Sequence, residues 1–302
     1  MITLNPANAE HQYLELLKRI RDRGDARMDR TGVGTRALFG EMMKFDLSDG
    51  TVPIFTTKKV LWKVALKELI WMLSGGTNIR ELVKQNVTIW TDWPLKRYRE
   101  ETGDEIDRKE FERRVAKDDA FAAAWGELGP VYGSQWRAWQ APDGSTYDQI
   151  SDCIEQLRNN PASRRIIFHG WNVPDLPSMA LPPCHLLYQF GVSAGKLNLI
   201  MYQRSVDTVL GLPFNIASCS FLLRMVADQV DLQPGTLTWF GGDTHLYDNH
   251  HHVLDVQLDR TPNAAPKLNL LRKPGSLFDY VPEDFELVGY EPQGFIKADV
   301  AI

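Results

Sequence analysis

The chain has 302 residues, enough for one large domain or two ordinary ones, and its 43% hydrophobic and 24% charged residues are those of an ordinary globular protein. Thirty-four Lys and Arg against 39 Asp and Glu leave a net charge of −5, which argues against a general nucleic-acid or anionic-membrane binder, because both need a basic excess. No apolar run approaches the roughly 20 residues that span a bilayer, and the N-terminus lacks the basic-then-apolar pattern of a signal peptide.

Residues 10–23 place Tyr13, Leu16, Leu17 and Ile20 at helical spacing, with Gly24 as a stop, and predict the first helix. A Gly-punctuated turn at 29–35 leads into a predicted strand at 37–47. Residues 60–74 read as a mostly buried helix, in which the charge of Glu68 is out of place. Between 94 and 125, 17 of 32 residues are charged, of both signs. That stretch reads as a solvated helical insertion and the most dispensable part of the chain. An amphipathic helix is predicted at 147–158 and a strand at 164–171. A hairpin follows, 186–192 with 196–202 around Ser193-Ala194-Gly195, then a helix at 215–230, a strand at 236–240 and a helix at 246–258. With no repeat, low-complexity tract or linker, the pattern predicts one mixed α+β domain carrying the insertion 94–125.

The three cysteines, Cys153, Cys184 and Cys219, are odd in number and lack metal or redox spacing, which points to free thiols in a reducing, cytoplasmic setting. Cys153 reads as a core thiol. Cys184 follows two prolines in Leu181-Pro182-Pro183-Cys184-His185, at an element boundary where nucleophiles often sit. An ordinary thiol is mostly protonated near pH 7, so a reactive one needs positive charge beside it. Arg164, Arg165 and Arg204 are available, yet spacing alone favours an inert cysteine. Arg204 with Ser205 suits a phosphate. Asp207 reads equally as a turn or cap carboxylate and Asn215 as an N-cap. Arg164 and Arg165 point to opposite faces of a regular strand, so one site uses both only if the strand bends or two subunits share them. His245 and Tyr247 share a face if their strand persists. The tract His250-His251-His252 suggests zinc only weakly, because consecutive residues of a helix cannot converge on one ion, and no metal is expected. Trp90, Trp93, Trp136 and Trp139 are core or a stacking surface for a flat heterocycle. The residues by themselves lead to an anion-binding enzyme with a candidate cysteine nucleophile.

Taken together these segments resemble the thymidylate synthase family. The similar stretches are DRTGVGT at 29–35, TTKK at 56–59, ELIWMLSGGTNI at 68–79, VTIWTDW at 87–93 and LGPVYGSQWRAW at 128–139. They continue with SRRII at 163–167, LPPCH at 181–185, QRSVD at 203–207, LGLPFNIAS at 210–218, GGDTHLY at 241–247 and the terminal IKADVAI. The resemblance implies one α+β domain over 1–302, with a large mixed, twisted sheet covered by helices and a sheet face used for dimerisation. It also implies conversion of dUMP to dTMP with 5,10-methylenetetrahydrofolate as donor of carbon and hydride, and no metal. Cys184 would add to C6 of uracil, with His185 beside it in the catalytic set. Arg30, Arg204, Ser205 and, from the partner of a homodimer, Arg164 and Arg165 would bind phosphate and lower the thiol's pKa. Asn215 would match N3–H and O4 of uracil, favouring dUMP over dCMP. Glu68, with Tyr132, would organise the waters that move protons at O4 and C5. His245 and Tyr247 would hold the deoxyribose hydroxyl. Trp90, Trp93, Asp207, Gly211 and Phe214 would line the folate pocket, Lys58 would meet the glutamate tail, and Ala301 and Ile302 would close over the ligands.

Phe168-His169-Gly170, Gly191, Val206 and Cys219 depart from the commonest family pattern. Related deoxypyrimidine-nucleotide hydroxymethylases share the cysteine and the folate donor but let water quench the exocyclic methylene. Hydroxymethylation of dUMP is therefore the alternative outcome.

Overall fold

A computed structural model describes residues 9–28 and 32–299. In chain order its elements are α1 (Ala9–Arg23), β1 (Asp25–Arg27), β2 (Thr35–Asp46), α2 (Trp62–Leu73), α3 (Arg80–Lys84), α4 (Asp92–Thr102), α5 (Arg108–Lys117), α6 (Asp119–Trp125) and α7 (Tyr132–Arg137). Then come β3 (Trp139–Gln140), β4 (Thr146–Tyr147), α8 (Gln149–Asn159), β5 (Ile167–His169), β6 (His185–Ser193), β7 (Lys196–Asp207), α9 (Gly211–Gln229), β8 (Gln233–Tyr247), α10 (His251–Leu258), β9 (Lys267–Leu270) and β10 (Phe285–Val288). The α+β class holds, and a six-stranded sheet runs β1-β2-β8-β7-β6-β5. It is mixed: β2 with β8 and β6 with β7 pair antiparallel, whereas β7 and β8 run parallel through the crossover helix α9.

The chain divides into two compact units, one of residues 1–66, 154–167 and 184–302, the other of 67–153 and 168–183. In the first, Tyr13, Leu16, Leu17 and Ile20 of α1 are fully buried, as their spacing predicts. α1 packs on β2 and β8, and α9 on β7 and β8, over Leu199, Met201, Leu237 and Trp239. The exposed apolar side chains Met42, Phe240 and Tyr202 form one cross-strand row, with Met42 opposite Phe240 and Phe240 opposite Tyr202.

Several boundaries differ from the sequence reading. β8 runs 15 residues, through Gly241-Gly242, rather than stopping at 240. A Cβ at Gly242 would lie 2.6 Å from the Arg204 carbonyl oxygen, so this glycine admits the neighbouring strand closely and does not end its own. The following helix therefore begins at His251. α9 begins at Gly211, because the Asp207 carboxylate accepts from Val209 N at 2.8 Å and Leu210 N at 3.3 Å, and Pro213 is tolerated in the first turn. The predicted strand at 164–171 shrinks to β5, leaving Arg164 and Arg165 in the preceding loop.

In the second unit the charged insertion is helical, as expected, but it is more than a solvated surface. Phe111 and Val115 have no exposure and Phe121 little. Tyr98 stacks edge-on against Trp125 at 5.0 Å, and Phe111 against Phe121 at 5.5 Å. Helices α4, α5 and α6 enclose this aromatic cluster, while their charged residues face outward.

Candidate active site

Cys184 precedes β6 at the end of the stiff Pro182-Pro183 approach. Its carbonyl accepts from Arg204 N at 2.8 Å, and the Arg204 guanidinium donates to its sulfur at 3.8 Å. The thiol is half-buried, with a positive group at the sulfur. Cys153 and Cys219 differ: both are buried, and burial pushes each thiol up to about 12. Beside the nucleophile candidate, β6 and β7 are joined through a bulge, the register passing from His185 opposite Gln203 to Leu187 opposite Tyr202. His185 is buried, and burial pushes its imidazole down to about 3.

Asn215 lies inside the first turns of α9 and not at its N-cap, which is Leu210. Its amide orientation follows from a donor that cannot be reversed. The indole N–H of Trp239 donates to Gln203 Oε1 at 3.0 Å, so the Gln203 amide must direct Nε2 the other way. Gln203 Nε2 then donates to Asn215 Oδ1 at 2.7 Å. Among the described residues, the second lone pair of Oδ1 and the two Nδ2 protons of Asn215 remain as a neighbouring acceptor and donor pair.

Beyond Gln203 and Gly241 the buried positions of β7 and β8 change parity. Leu199, Met201 and Gln203 are buried, then Val206 and Thr208, and in β8 Leu237, Trp239 and Gly241, then Thr244 and Leu246. Ser205, Asp207, Asp243, His245 and Tyr247 consequently emerge half-buried, with Ser205 opposite Asp243 and Asp207 opposite His245. β8 does persist to Tyr247, and the rings of His245 and Tyr247 meet edge to face at 5.1 Å. His245 Nδ1 is 2.9 Å from an Asp243 oxygen, and Arg27 donates to the other at 2.8 Å. The hydrogen bond with His245, then the charge of Arg27, holds Asp243 below the usual carboxylate range.

Gly211 and Phe214 stand half-buried in the first turn of α9. Lys58 is buried and donates to the Val209 carbonyl, and burial lowers its ammonium to about 8 against the opposing pull of Asp207. Its loop is anchored by Glu10, whose carboxylate accepts from the backbone N–H and hydroxyl of both Thr56 and Thr57. Arg164 and Arg165 are exposed, and no ion pair involves either guanidinium among the described residues. The histidine tract splays, as consecutive residues must. His250 Nε2 meets the Asp299 carbonyl at 2.7 Å, His252 Nε2 meets that of Lys297 at 2.9 Å, and His251 faces Asp248.

In the second unit Glu68 is buried within α2, where it accepts from the Trp90 indole at 2.7 Å. Burial raises its carboxyl to about 7, against the lowering effect of that bond. Trp90 packs against Trp93 at 5.3 Å and edge-on against Tyr132 at 6.1 Å. Trp136 is fully buried, and Phe168 packs edge-on against it at 5.2 Å. His169 lies against Trp139 at 4.9 Å, and a Cβ on Gly170 would come within 3.2 Å of the Pro183 ring.

Within the first unit the structure thus brings together Cys184 with Arg204 and Lys58 with Asp207. Within the second it brings together Glu68, Trp90, Trp93 and Tyr132. The expected sites Arg30, Ala301 and Ile302 lie outside the described residues. Sequence reasoning missed Gln203, Trp239, Tyr188 and Glu10. Gln203 sits one residue before Arg204, but nothing in a linear string pairs it with residues 215 and 239.

A profile of the thymidylate synthase family matches residues 11–302. Proteins named thymidylate synthase are similar over nearly the whole chain. That of Rhodopseudomonas palustris (strain BisA53) is 58% identical, covering 97% of this chain and 99% of the relative. That of Rhizorhabdus wittichii is 57% identical over 97% and 98% of the two chains, and that of Cereibacter sphaeroides (strain ATCC 17025) 56% over 98% and 100%. Likeness of this extent spans both units and every motif considered above, and it makes the chain a member of the thymidylate synthase family.

Proposed function

We propose that the chain methylates C5 of dUMP to give dTMP, taking carbon and hydride from the substrate 5,10-methylenetetrahydrofolate. The observation that carries this reading is the Arg204 guanidinium 3.8 Å from the Cys184 sulfur, a placement that stabilises the anionic nucleophile. The thiolate adds to C6, and the electron pair arriving at C5 attacks the methylene carbon. Loss of the C5 proton then breaks the bond from the methylene carbon to the folate nitrogen, which releases tetrahydrofolate and leaves an exocyclic methylene on the Cys184-bound pyrimidine. Hydride from tetrahydrofolate reduces that carbon, the C6–S bond breaks, and dTMP and dihydrofolate leave.

Asn215, oriented through Gln203, accepts from N3–H with Oδ1 and donates to O4 with Nδ2. Cytosine offers the reverse pattern at both atoms. Arg30, Arg204 and Ser205 hold the phosphate, with Arg164 and Arg165 of the partner subunit, while His245 and Tyr247 hold the deoxyribose hydroxyl. The two exposed guanidiniums and the apolar row Met42, Phe240 and Tyr202 support a homodimer formed across the open sheet face. Glu68, titrating near neutrality at about 7, organises with Tyr132 the water that passes protons at O4 and C5, and His185 belongs to the same catalytic set. Trp90, Trp93, Asp207, Gly211 and Phe214 line the folate site. Lys58 reaches the glutamate tail only by exchanging its bond to Val209. Ala301 and Ile302 close the site against water. The two units act as one catalytic domain. Free thiols suit a cytoplasmic setting, and among the described residues no helix is long and apolar enough to cross a membrane.

The test is to incubate the protein with dUMP and methylenetetrahydrofolate and weigh the nucleotide product. A methylated nucleotide with dihydrofolate is expected. A hydroxymethylated nucleotide with tetrahydrofolate, the outcome if water quenches the intermediate, overturns the reading.

A further inference from the structure

Tyr188 lies three residues beyond His185, and in a regular strand residues three apart face opposite sides. Here they share one. The bulge between His185 and Leu187 inserts an extra residue, so His185, Tyr188 and Phe190 are all buried. The Tyr188 hydroxyl and His185 Nδ1 are 2.8 Å apart, within hydrogen-bonding distance and shielded from water. The same hydroxyl is hydrogen-bonded to the thiol of Cys219 on α9.

The direction of this chain of bonds follows from the groups in it. A phenol has one proton, and His185 Nδ1 and the Cys219 sulfur both lie where they could take it. An imidazole nitrogen is a far better acceptor than a thiol sulfur, which is weak in both roles. Cys219 keeps its own proton, since burial pushes the thiol to about 12 against the lowering effect of its bond with Tyr188. His185 stays neutral, since burial pushes the ring to about 3, so it carries a single proton. We infer that Tyr188 is a positioning residue: by donating to Nδ1 it fixes His185 as the Nε2–H tautomer, a neutral hydrogen-bond donor next to Cys184. Such a donor stabilises negative charge developing in its neighbourhood without becoming an acid at working pH. The inference rests on the proposed chemistry for its catalytic consequence, but the tautomer itself is independent of it.

The test uses the full-length protein labelled with nitrogen-15, and its first reading needs no substrate. Ring-nitrogen spectra should show His185 with a protonated Nε2 and an unprotonated Nδ1, unchanged between about pH 5 and about pH 8. Tyr188→Phe keeps the ring and removes the hydroxyl, and should give His185 a mixture of tautomers. In turnover, kcat of Tyr188→Phe should fall about tenfold with KM for dUMP within about twofold of the parent. Cys219→Ala should leave both tautomer and kcat as they are, because it keeps the bond to Nδ1. A proton found on Nδ1 in the parent protein overturns the inference. So does a Tyr188→Phe protein that keeps the Nε2–H tautomer and parental kcat, whatever its melting temperature. If no turnover of dUMP is detected at all, the proposed reaction fails while the spectra still decide the tautomer.

Discussion

Glu68 is held against the Trp90 indole and away from water, and a carboxyl so placed keeps its proton up to about pH 7. Its folded pKa lies above the ordinary 4.5, so the folded chain binds this proton more tightly than the unfolded one. The stabilisation is complete below about pH 4.5 and is lost as pH rises through about 7. Glu68→Gln should abolish that decline, so the stability difference between variant and parent in urea should move in the variant's favour from about pH 5 to about pH 8. Parallel curves would rule out a shifted Glu68. The cysteines make a second prediction. An alkylating reagent should label Cys184 in the native protein and reach Cys153 and Cys219 only on unfolding, and native Cys184→Ala should take up none. Peptide mapping after brief exposure reads this directly. Glu68 is legible as a charge in an apolar helix, because burial and helical period show in the string. The role of Cys184 is not, because its reactivity depends on a guanidinium 20 residues away, which spacing alone does not bring near.

At the scale of elements, strands β7 and β8 impose an orientation on Asn215 through a donor that has only one role. Trp239→Phe leaves Gln203 Oε1 without its indole donor and lets the amide turn over. The ratio of kcat/KM for dUMP to that for dCMP should then fall about tenfold, the value of one net hydrogen bond. An unchanged ratio would detach Trp239 from substrate choice. The insertion makes the opposite kind of prediction, since its helices enclose a packed aromatic cluster. Phe121→Ala should cost about 3 to 5 kcal/mol, and hydrogen exchange in 92–125 should accelerate first. Loss of exchange protection spread evenly over the chain would contradict a locally held cluster. These elements also mark where sequence reading falls short. A Gly-Gly pair reads as a strand stop when its purpose is close approach of a neighbour, and 17 charged residues hide the four apolar rings beneath them.

For the whole molecule, the proposed sharing of arginines can be tested by mixing. Arg165→Ala and Cys184→Ala chains should each be nearly inactive alone. Exchanged by mild denaturation and refolding, they should recover activity, because each mixed dimer regains one intact site. Activity that never exceeds the sum of the separate proteins would place Arg165 in its own subunit's site or in none. The class of the fold and the order of its elements were legible from periodicity and turn residues. The parallel pairing of β7 with β8 was not, because it joins residues about 38 positions apart and leaves no local mark.

The histidine tract belongs to a feature with its own consequence. The segment after Tyr290 runs back along α10; Gln293 anchors its start, donating from its N–H to the Thr56 carbonyl and from its side chain to that of Thr261, and four side chains hold main-chain carbonyl oxygens. Asn263 holds Glu291, Arg260 holds Gly294, His252 holds Lys297 and His250 holds Asp299. Every residue type carries that oxygen, so these contacts count residues without reading them. The segment should tolerate exchange of its side chains at 295, 296 and 298, yet a single residue added between 294 and 297 would carry the later carbonyls past their donors. From Gly294 to Asp299 the spacing along the chain is under constraint and the spelling is not.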